Sequence, residues 1–169
     1  MARFSIPRFG ALHGNFDRIQ MASYRHSLWW KEESYNLLKG ATTKGDFAQA
    51  VKWCGVLGGV TRTVSKKDFE AFAEYLFDQK NDIQKGNFDL DQTPIFSKKQ
   101  PISWTSKICH ILNPFAYPLA YDGNVKKTLQ IKNIEQFLQI NKDLAKLWKN
   151  KRNRKAAYRL DSTIWASVL

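Results

Sequence analysis

The sequence predicts an all-α protein that folds as a compact helical domain. Apolar residues recur at spacings of three and four along most of the chain, which is typical of helices that bury one face. Hydrophobic residues make up 43% of the 169 residues and aromatic residues 14%, which is enough to form a core. The length fits one domain over residues 1–169. No stretch alternates convincingly between polar and apolar residues, although 88–95 is a candidate for a short strand.

The first two helices are delimited by capping residues and glycines. Apolar periodicity predicts the first helix over residues 16–38, with Asn15 as a candidate N-cap and Gly40 as a candidate stop. Asp46 is a candidate cap for a second helix that continues to about Leu57. The apolar residues of this second helix share one face: Phe47, Ala50, Val51 and Cys54.

A third helix is predicted after Ser65, with Asp68 three residues later as its partner in a near capping box. Its apolar stripe is expected in the core and consists of Phe69, Phe72, Ala73, Leu76 and Phe77. Residues 81–100 are polar and include glycine and proline, so we expect a long loop there. If this loop separates two lobes, residues 1–80 and 101–169 lie on either side of a cleft.

The remainder of the chain predicts further helices. Residues 103–112 are predicted to form a helix that ends at the Asn-Pro pair 113–114. An extended link with a second proline follows. A new helix is expected over 122–129, and 134–148 has the pattern of another amphipathic helix. The last segment of the chain is also expected to be helical.

Cysteine and histidine spacing does not indicate a metal site. Cys54 and Cys109 lie far apart in sequence without a CxxC motif, which favours buried reduced thiols. His13, His26 and His110 have no ligand spacing, so we expect no metal and no cofactor. The sequence has no run of about 18 apolar residues, so we expect no membrane span, and the first residues do not predict a secretory signal. We therefore expect a cytoplasmic monomer that does not bind membranes.

The charge balance is strongly basic. Lysine and arginine total 27 against 15 acidic residues, which gives a net charge of +12. A surface of this sign attracts phosphates, and interleaved aromatic rings favour nucleic acid over a simple solubility surface. The basic residues expected to contact DNA are Lys126, Lys127, Lys149, Lys151, Arg152, Arg154 and Lys155. Contacts of this kind position a duplex without reading its sequence.

Residues 103–129 combine the side chains that can carry chemistry. The order is a helix, a proline-bounded link and an aspartate that begins a second helix. Lys107 and His110 lie off the apolar face of the helix predicted over 103–112, so Lys107 can reach a cleft. Asp122 is placed to cap the helix predicted over 122–129 by accepting backbone hydrogen bonds. The helix N-terminus is expected to keep the pKa of Asp122 low.

This segment resembles the catalytic segment of the helix-hairpin-helix DNA glycosylases. The shared features, over about thirty residues, are a lysine on a helix, a Pro-x-x-x-Asp link and a helix of the form Asp-x-x-Val-x-Lys. The resemblance implies that Asp122 lies beside a flipped nucleotide and that Lys107 attacks the sugar in a bifunctional mechanism. Val125 and Lys127 match the apolar and basic positions of the family's Asp-x-x-Val-x-Lys helix. The Leu-Pro-Gly-x-Gly hairpin of the family is replaced here by residues 100–106.

Base flipping needs a pocket with aromatic walls or a ring that wedges into the duplex. The candidates for these roles are Trp29, Trp30, Trp104, Phe115, Tyr117 and Tyr121. Neighbouring helical residues cannot face the same way, so one of Trp29 and Trp30 is expected in the core and the other at the surface.

The expected function is removal of an altered base from duplex DNA, with or without AP-lyase activity, in base excision repair or in defence against modified phage DNA. A non-enzymatic nucleic-acid-binding module that uses the same basic surface is the alternative. A nuclease is disfavoured because the sequence shows no clustered acidic or histidine metal ligands. Asp122 is also open to interpretation as a helix cap alone, and Lys107 as a solvated helix lysine.

Overall fold

The protein is described by a computed structural model that covers residues 16–57, 65–96, 100–148 and 153–167. Within these ranges the regular secondary structure is helical and contains no β-strand, which confirms the all-α prediction. The helices are α1 (Arg18–Gly40), α2 (Lys44–Leu57), α3 (Lys66–Asp78), α4 (Lys80–Lys85), α5 (Ile102–Leu112), α6 (Gly123–Thr128), α7 (Ile134–Leu147) and α8 (Arg154–Ala166). None of these described helices has the length and apolar content that a membrane crossing requires.

The first two helices begin at caps that differ from those predicted. The carboxylate of Asp17 accepts a hydrogen bond from the Gln20 amide at 2.8 Å, and the Gln20 side chain accepts one from the Asp17 amide at 3.1 Å. This capping box starts α1, and the predicted cap Asn15 lies outside the described residues. The prediction that Asp46 caps α2 is wrong, because its amide donates to Thr43 Oγ1 at 3.1 Å and Asp46 lies within the first turn.

The third helix follows its prediction, whereas the segment after it does not. Ser65 caps α3 by accepting a hydrogen bond from the Asp68 amide at 3.1 Å, as expected. Residues 81–100 were expected to form a polar loop, but they contain most of α4 and a 3₁₀ turn at Leu90–Gln92. Ile83 and Leu90 are buried there, so scattered apolar residues draw the segment onto the core. The candidate strand at 88–95 is likewise replaced by this 3₁₀ turn.

One hydrophobic cluster runs through the described chain. Each of the eight helices contributes to it, for example through Leu38, Phe47, Leu76, Ile83, Ile111, Val125, Phe137 and Leu160. Residues on both sides of 81–100 therefore lie in one core, and the division into two lobes stays a prediction. Cys54 and Cys109 are buried free thiols, as their spacing predicted.

The Trp104 side chain of α5 packs closely against a glycine of α2. A Cβ atom on Gly55 would lie 2.6 Å from Cη2 and 2.8 Å from Cζ2 of the Trp104 ring. Trp104 also makes edge contacts with Phe69 and Phe72, with both pairs of ring centroids 6.0 Å apart. The glycine thus makes room for an aromatic ring that packs against the core.

Substituting Gly55→Ala should lower the free energy of unfolding by about 1–3 kcal/mol, because the new methyl group overlaps the Trp104 ring. Gly40→Ala is the matched control, since a Cβ atom there meets nothing within 4 Å. The control should be neutral or slightly stabilising, because alanine favours a helix more than glycine does. Urea denaturation of both variants measures the difference, and equal stabilities would contradict the packing argument.

Candidate active site

Asp122 caps α6 as the sequence predicted. Its Oδ1 accepts a hydrogen bond from the Val125 amide at 2.9 Å. The expected low pKa is wrong, because burial and the nearby charge of Asp161 raise the pKa of Asp122. The Val125 hydrogen bond and the charges of Lys107 and Lys31 oppose this shift without cancelling it. Loss of water around the carboxylate therefore outweighs the favourable helix terminus.

Asp122 and Lys107 each keep a polar atom unengaged. Within the described ranges, Oδ2 of Asp122 accepts no hydrogen bond, and Nζ of Lys107 makes neither a hydrogen bond nor an ion pair. Both side chains are half-buried. The charge of Lys107 is close enough to lower the pKa of Asp122. Among the described residues, Asp122 and Lys107 thus each leave one polar atom without a partner, and the charge of Lys107 acts on the Asp122 carboxyl.

A small pocket lies beside Lys107. It is lined by Trp30, Cys54, Gly55, Trp104, Lys107, Ile108 and Ile111. Three of the predicted site residues, Lys107, Trp30 and Trp104, are thereby brought together. The space of about 10 Å³ is comparable to that taken by a single water molecule. A nucleobase does not fit in it unless the aromatic walls move.

Of the two neighbouring tryptophans of α1, one is buried and the other is exposed, as predicted. Trp30 is 7% exposed, and its Nε1 donates to the Cys54 carbonyl at 2.9 Å. Trp29 is 50% exposed, with its ring centroid 5.6 Å from that of His26. Only Trp29 of this pair is therefore available at the surface. Tyr117 is buried and its hydroxyl donates to the Phe88 carbonyl at 2.8 Å, so it serves the core rather than a surface wedge.

The other aromatic candidates are half-buried. The Phe115 ring lies 6.3 Å from that of Trp148, and the Tyr121 ring lies 4.7 Å from that of Phe137. Tyr121 directly precedes Asp122, and Nζ of Lys126 lies 5.0 Å from its ring centroid. Tyr121 is thus the predicted aromatic that stands next to the aspartate.

The basic residues predicted to contact DNA have different surroundings. Lys127 is exposed, whereas the guanidinium of Arg154 lies 3.6 Å from the centroid of the Tyr35 ring. Lys155 pairs with Glu32 at 3.6 Å. Three further predicted contacts, Lys149, Lys151 and Arg152, lie outside the described residues.

A buried ion pair next to the site was not anticipated from the sequence. Lys31 of α1 and Asp161 of α8 are joined at 2.7 Å, with their side chains only 1% and 3% exposed. Lys31 also donates to Ser27 at 3.1 Å and to Ser162 at 2.7 Å. Burial tends to raise the pKa of Asp161, but Lys31 and the other partners outweigh it and lower the pKa. A signal was present in Asp161 itself, a charged residue within the apolar face that Leu160 and Ile164 define.

His110 extends this buried cluster, which corrects the prediction that it lies off the core face. Its ring is completely buried, and Nδ1 donates to the Tyr117 carbonyl at 2.8 Å. Nε2 lies 3.9 Å from Oδ2 of Asp161 and has no hydrogen-bond partner within the described residues. Burial lowers the pKa of His110 to about 4, with Lys31 adding to the shift and Asp161 opposing it. The ring is therefore neutral at physiological pH.

The link between α5 and α6 is held by four side chains that belong to three helices, α5, α7 and α8. The Tyr117 carbonyl accepts a hydrogen bond from His110 Nδ1 at 2.8 Å. The next three bonds are donated by link amides: Leu119 to Asn141 Oδ1 at 3.0 Å, Ala120 to Asp161 Oδ1 at 2.9 Å, and Tyr121 to Ser106 Oγ at 2.9 Å. The Asp122 amide then donates to the Ala120 carbonyl at 3.1 Å. Tertiary contacts thus set the backbone that leads into Asp122.

The buried histidine predicts a pH dependence of stability. Between about pH 6.5 and 4, the unfolded chain binds a proton at His110 that the folded protein does not bind. Stability should therefore fall as pH falls through this interval, by up to about 1.4 kcal/mol per pH unit from this residue. His110→Asn retains a donor for the Tyr117 carbonyl but cannot titrate, so its slope should be shallower.

The exposed His26 provides the control for this measurement. His26→Asn makes the same substitution at an exposed position outside the buried cluster, so it controls for the change of residue type. Urea denaturation at several pH values gives the free energy of unfolding for each protein. Equal slopes for the native protein and His110→Asn would show that His110 does not carry the effect.

Comparison with known proteins yields no relative for this chain. No family model matches the sequence, and searches of curated proteins and of solved structures find no similar protein. The candidate site is therefore defined by its own residues, the half-buried Asp122 and Lys107 and the fully buried Lys31–Asp161 pair.

Proposed function

We propose that the protein is a DNA glycosylase that removes an altered base from duplex DNA. The observation that supports this proposal is the carboxylate of Asp122, which caps α6 through one oxygen and keeps the other unengaged among the described residues. The charge of Lys107 acts on this carboxyl and opposes the rise in its pKa that burial causes. The resemblance of residues 103–129 to the glycosylase segment assigns these two residues to the same chemistry.

Asp122 suits a reaction that builds positive charge on a sugar. As the bond between C1′ and the base breaks, the base leaves with the electron pair and takes up a proton from solvent. A carboxylate near C1′ stabilises the developing cation, and the effect is strong where water is excluded. Water then forms the new bond to C1′, and its proton passes to Asp122 or to solvent. The partial burial of Asp122 favours this role, because it strengthens the field that the carboxylate exerts.

Lys107 provides a second route. Its amine, in the neutral form, can attack C1′ as the bond to the base breaks, and the nitrogen loses a proton to a nearby base such as Asp122. Opening of the sugar ring then converts the adduct to an imine. The imine is the species that permits subsequent strand cleavage, so this route gives lyase activity in addition to base removal.

The basic surface supplies the attraction for the duplex. The net charge of +12 favours binding to a polyanion, and exposed Lys127 is placed on α6, the helix that Asp122 caps. The same charge supports the alternative of a non-enzymatic nucleic-acid-binding module. The two functions differ in whether a base is released. Base release would serve either base excision repair or defence against modified phage DNA.

Asp122→Asn should separate the catalytic role from the structural one. Asparagine caps a helix about as well as aspartate, so stability and DNA affinity should change little. Loss of the charge should slow base release by about 10²–10³-fold, as removal of other electrostatic stabilisers does. The measurement is single-turnover release from duplexes that each carry one modified base, followed by alkali cleavage of the abasic strand.

Asp17→Asn is the matched control, because Asp17 is another N-cap aspartate, is exposed and begins a different helix. It should leave the rate unchanged. Full activity in Asp122→Asn would remove Asp122 from the chemistry. Binding without base release by the native protein on every duplex would favour the binding-module alternative.

Lys107→Arg tests the covalent route. Arginine keeps the positive charge but remains protonated and does not form the imine. Borohydride should reduce the imine of the native protein and leave it covalently attached to DNA, whereas Lys107→Arg should give no adduct. Lys127→Ala is the control, because it removes an exposed cation of α6 and should retain the adduct at saturating DNA. Base release by the native protein without any adduct would assign the reaction to water.

A further inference from the structure

The link before Asp122 connects the candidate site to the buried ion pair. Oδ1 of Asp161 accepts the hydrogen bond from the Ala120 amide at 2.9 Å, and its Oδ2 pairs with Lys31 at 2.7 Å. The Ala120 carbonyl in turn accepts from the Asp122 amide at 3.1 Å. A continuous chain of polar contacts therefore runs from α1 through α8 to the backbone of Asp122.

Three successive amides of the link donate to side chains instead of to backbone. The amides of Leu119, Ala120 and Tyr121 are bonded to Asn141, Asp161 and Ser106, respectively. These acceptors belong to α7, α8 and α5. The acceptor for Ala120 is the only charged one of the three, and hydrogen bonds to a charged acceptor are shorter and stronger than neutral ones. Asp161 is therefore the tether that differs from the other two in kind, because its carboxylate also pairs with Lys31.

Stability alone is a weak reason for a charged pair at this depth. Burying two charges removes them from water, and apolar residues of similar size often serve a core as well or better. The Lys31–Asp161 pair is nearly inaccessible to solvent, so it bears this desolvation cost in full. What the carboxylate offers, and an apolar side chain does not, is an acceptor for the Ala120 amide on one oxygen while the other holds Lys31.

We propose that Asp161 is a positioning residue, held by Lys31, that fixes the direction of the Asp122 carboxylate by anchoring Ala120. This inference rests on the proposed glycosylase function for its effect on rate, but the effect on geometry is independent of any activity. Loss of the anchor leaves the Asp122 side chain chemically intact and displaces it from the sugar. Small displacements of a reacting group are enough to slow catalysis by about 10²-fold.

The test compares two double variants that both remove the buried charges. Lys31→Met with Asp161→Asn keeps a carbonyl oxygen as acceptor for the Ala120 amide. Lys31→Met with Asp161→Leu has no acceptor at that position. Because each variant lacks both charges, neither leaves an unpaired ion in the core, and the difference between them isolates the Ala120 anchor.

Two readouts report geometry without substrate. Hydrogen exchange of the Ala120 and Val125 amides, followed by NMR, should be slow in the asparagine variant and at least about tenfold faster in the leucine variant, since loss of an anchoring hydrogen bond raises local opening. Titration of the Asp122 carboxyl carbon should give different pKa values in the two variants, because the carboxylate changes its surroundings. Single-turnover base release should be about 10²-fold slower in the leucine variant at unchanged DNA affinity.

The outcomes separate this inference from the proposed function. If the native protein releases no base from any duplex, the glycosylase proposal fails, while amide exchange and the Asp122 titration still decide the role of Asp161. If these two readouts agree between the folded variants, the positioning role is overturned even when the native protein is active. Failure of the leucine variant, or of both variants, to fold assigns Asp161 to global stability and overturns the positioning role as well.

Discussion

The buried pair of Lys31 and Asp161 is the constraint around which the candidate site is arranged. It joins α1 to α8 at a depth where charges are tolerated only with several partners, and Ser27, Ser162 and the Ala120 amide supply them. These partners come from three separate parts of the sequence. The helices must therefore meet in one register for the pair to be satisfied, and that register determines where the link between α5 and α6 can run.

The position of Asp122 depends on this framework more than on the helix that it caps. Helix α6 has 6 residues, too few to be stable alone, because helix nucleation is unfavourable. Its far end is tied to α8 by Thr128, whose hydroxyl donates to the Ile164 carbonyl at 2.8 Å. Its near end is tied to α8 through Ala120 and Asp161. Helix α8 thus serves as the common support for both ends of the segment that presents Asp122.

Local sequence signals predicted much of the fold and one part of the site. The periodic apolar faces predicted the helices other than α4, and Asp122 and Ser65 were recognised as caps because a cap depends on residues three positions away. The ion pair was not predicted, because Lys31 and Asp161 are separated by most of the chain and lysine is usually exposed. The pKa of Asp122 was misjudged for the same reason, since its burial arises from tertiary packing and not from the helix terminus.

The surroundings of Lys31 and Lys107 differ in what they would allow in the proposed covalent route. Deep burial is a common way to activate a lysine, and by that criterion Lys31 would be the stronger candidate. Its Nζ is already held by Asp161, Ser27 and Ser162, and its side chain is 1% exposed, so no sugar can reach it. Lys107 is half-buried and makes no hydrogen bond or ion pair in the described part of the chain. Lys31 therefore fits a structural role in the core, and Lys107 is the lysine that the proposed covalent route would use.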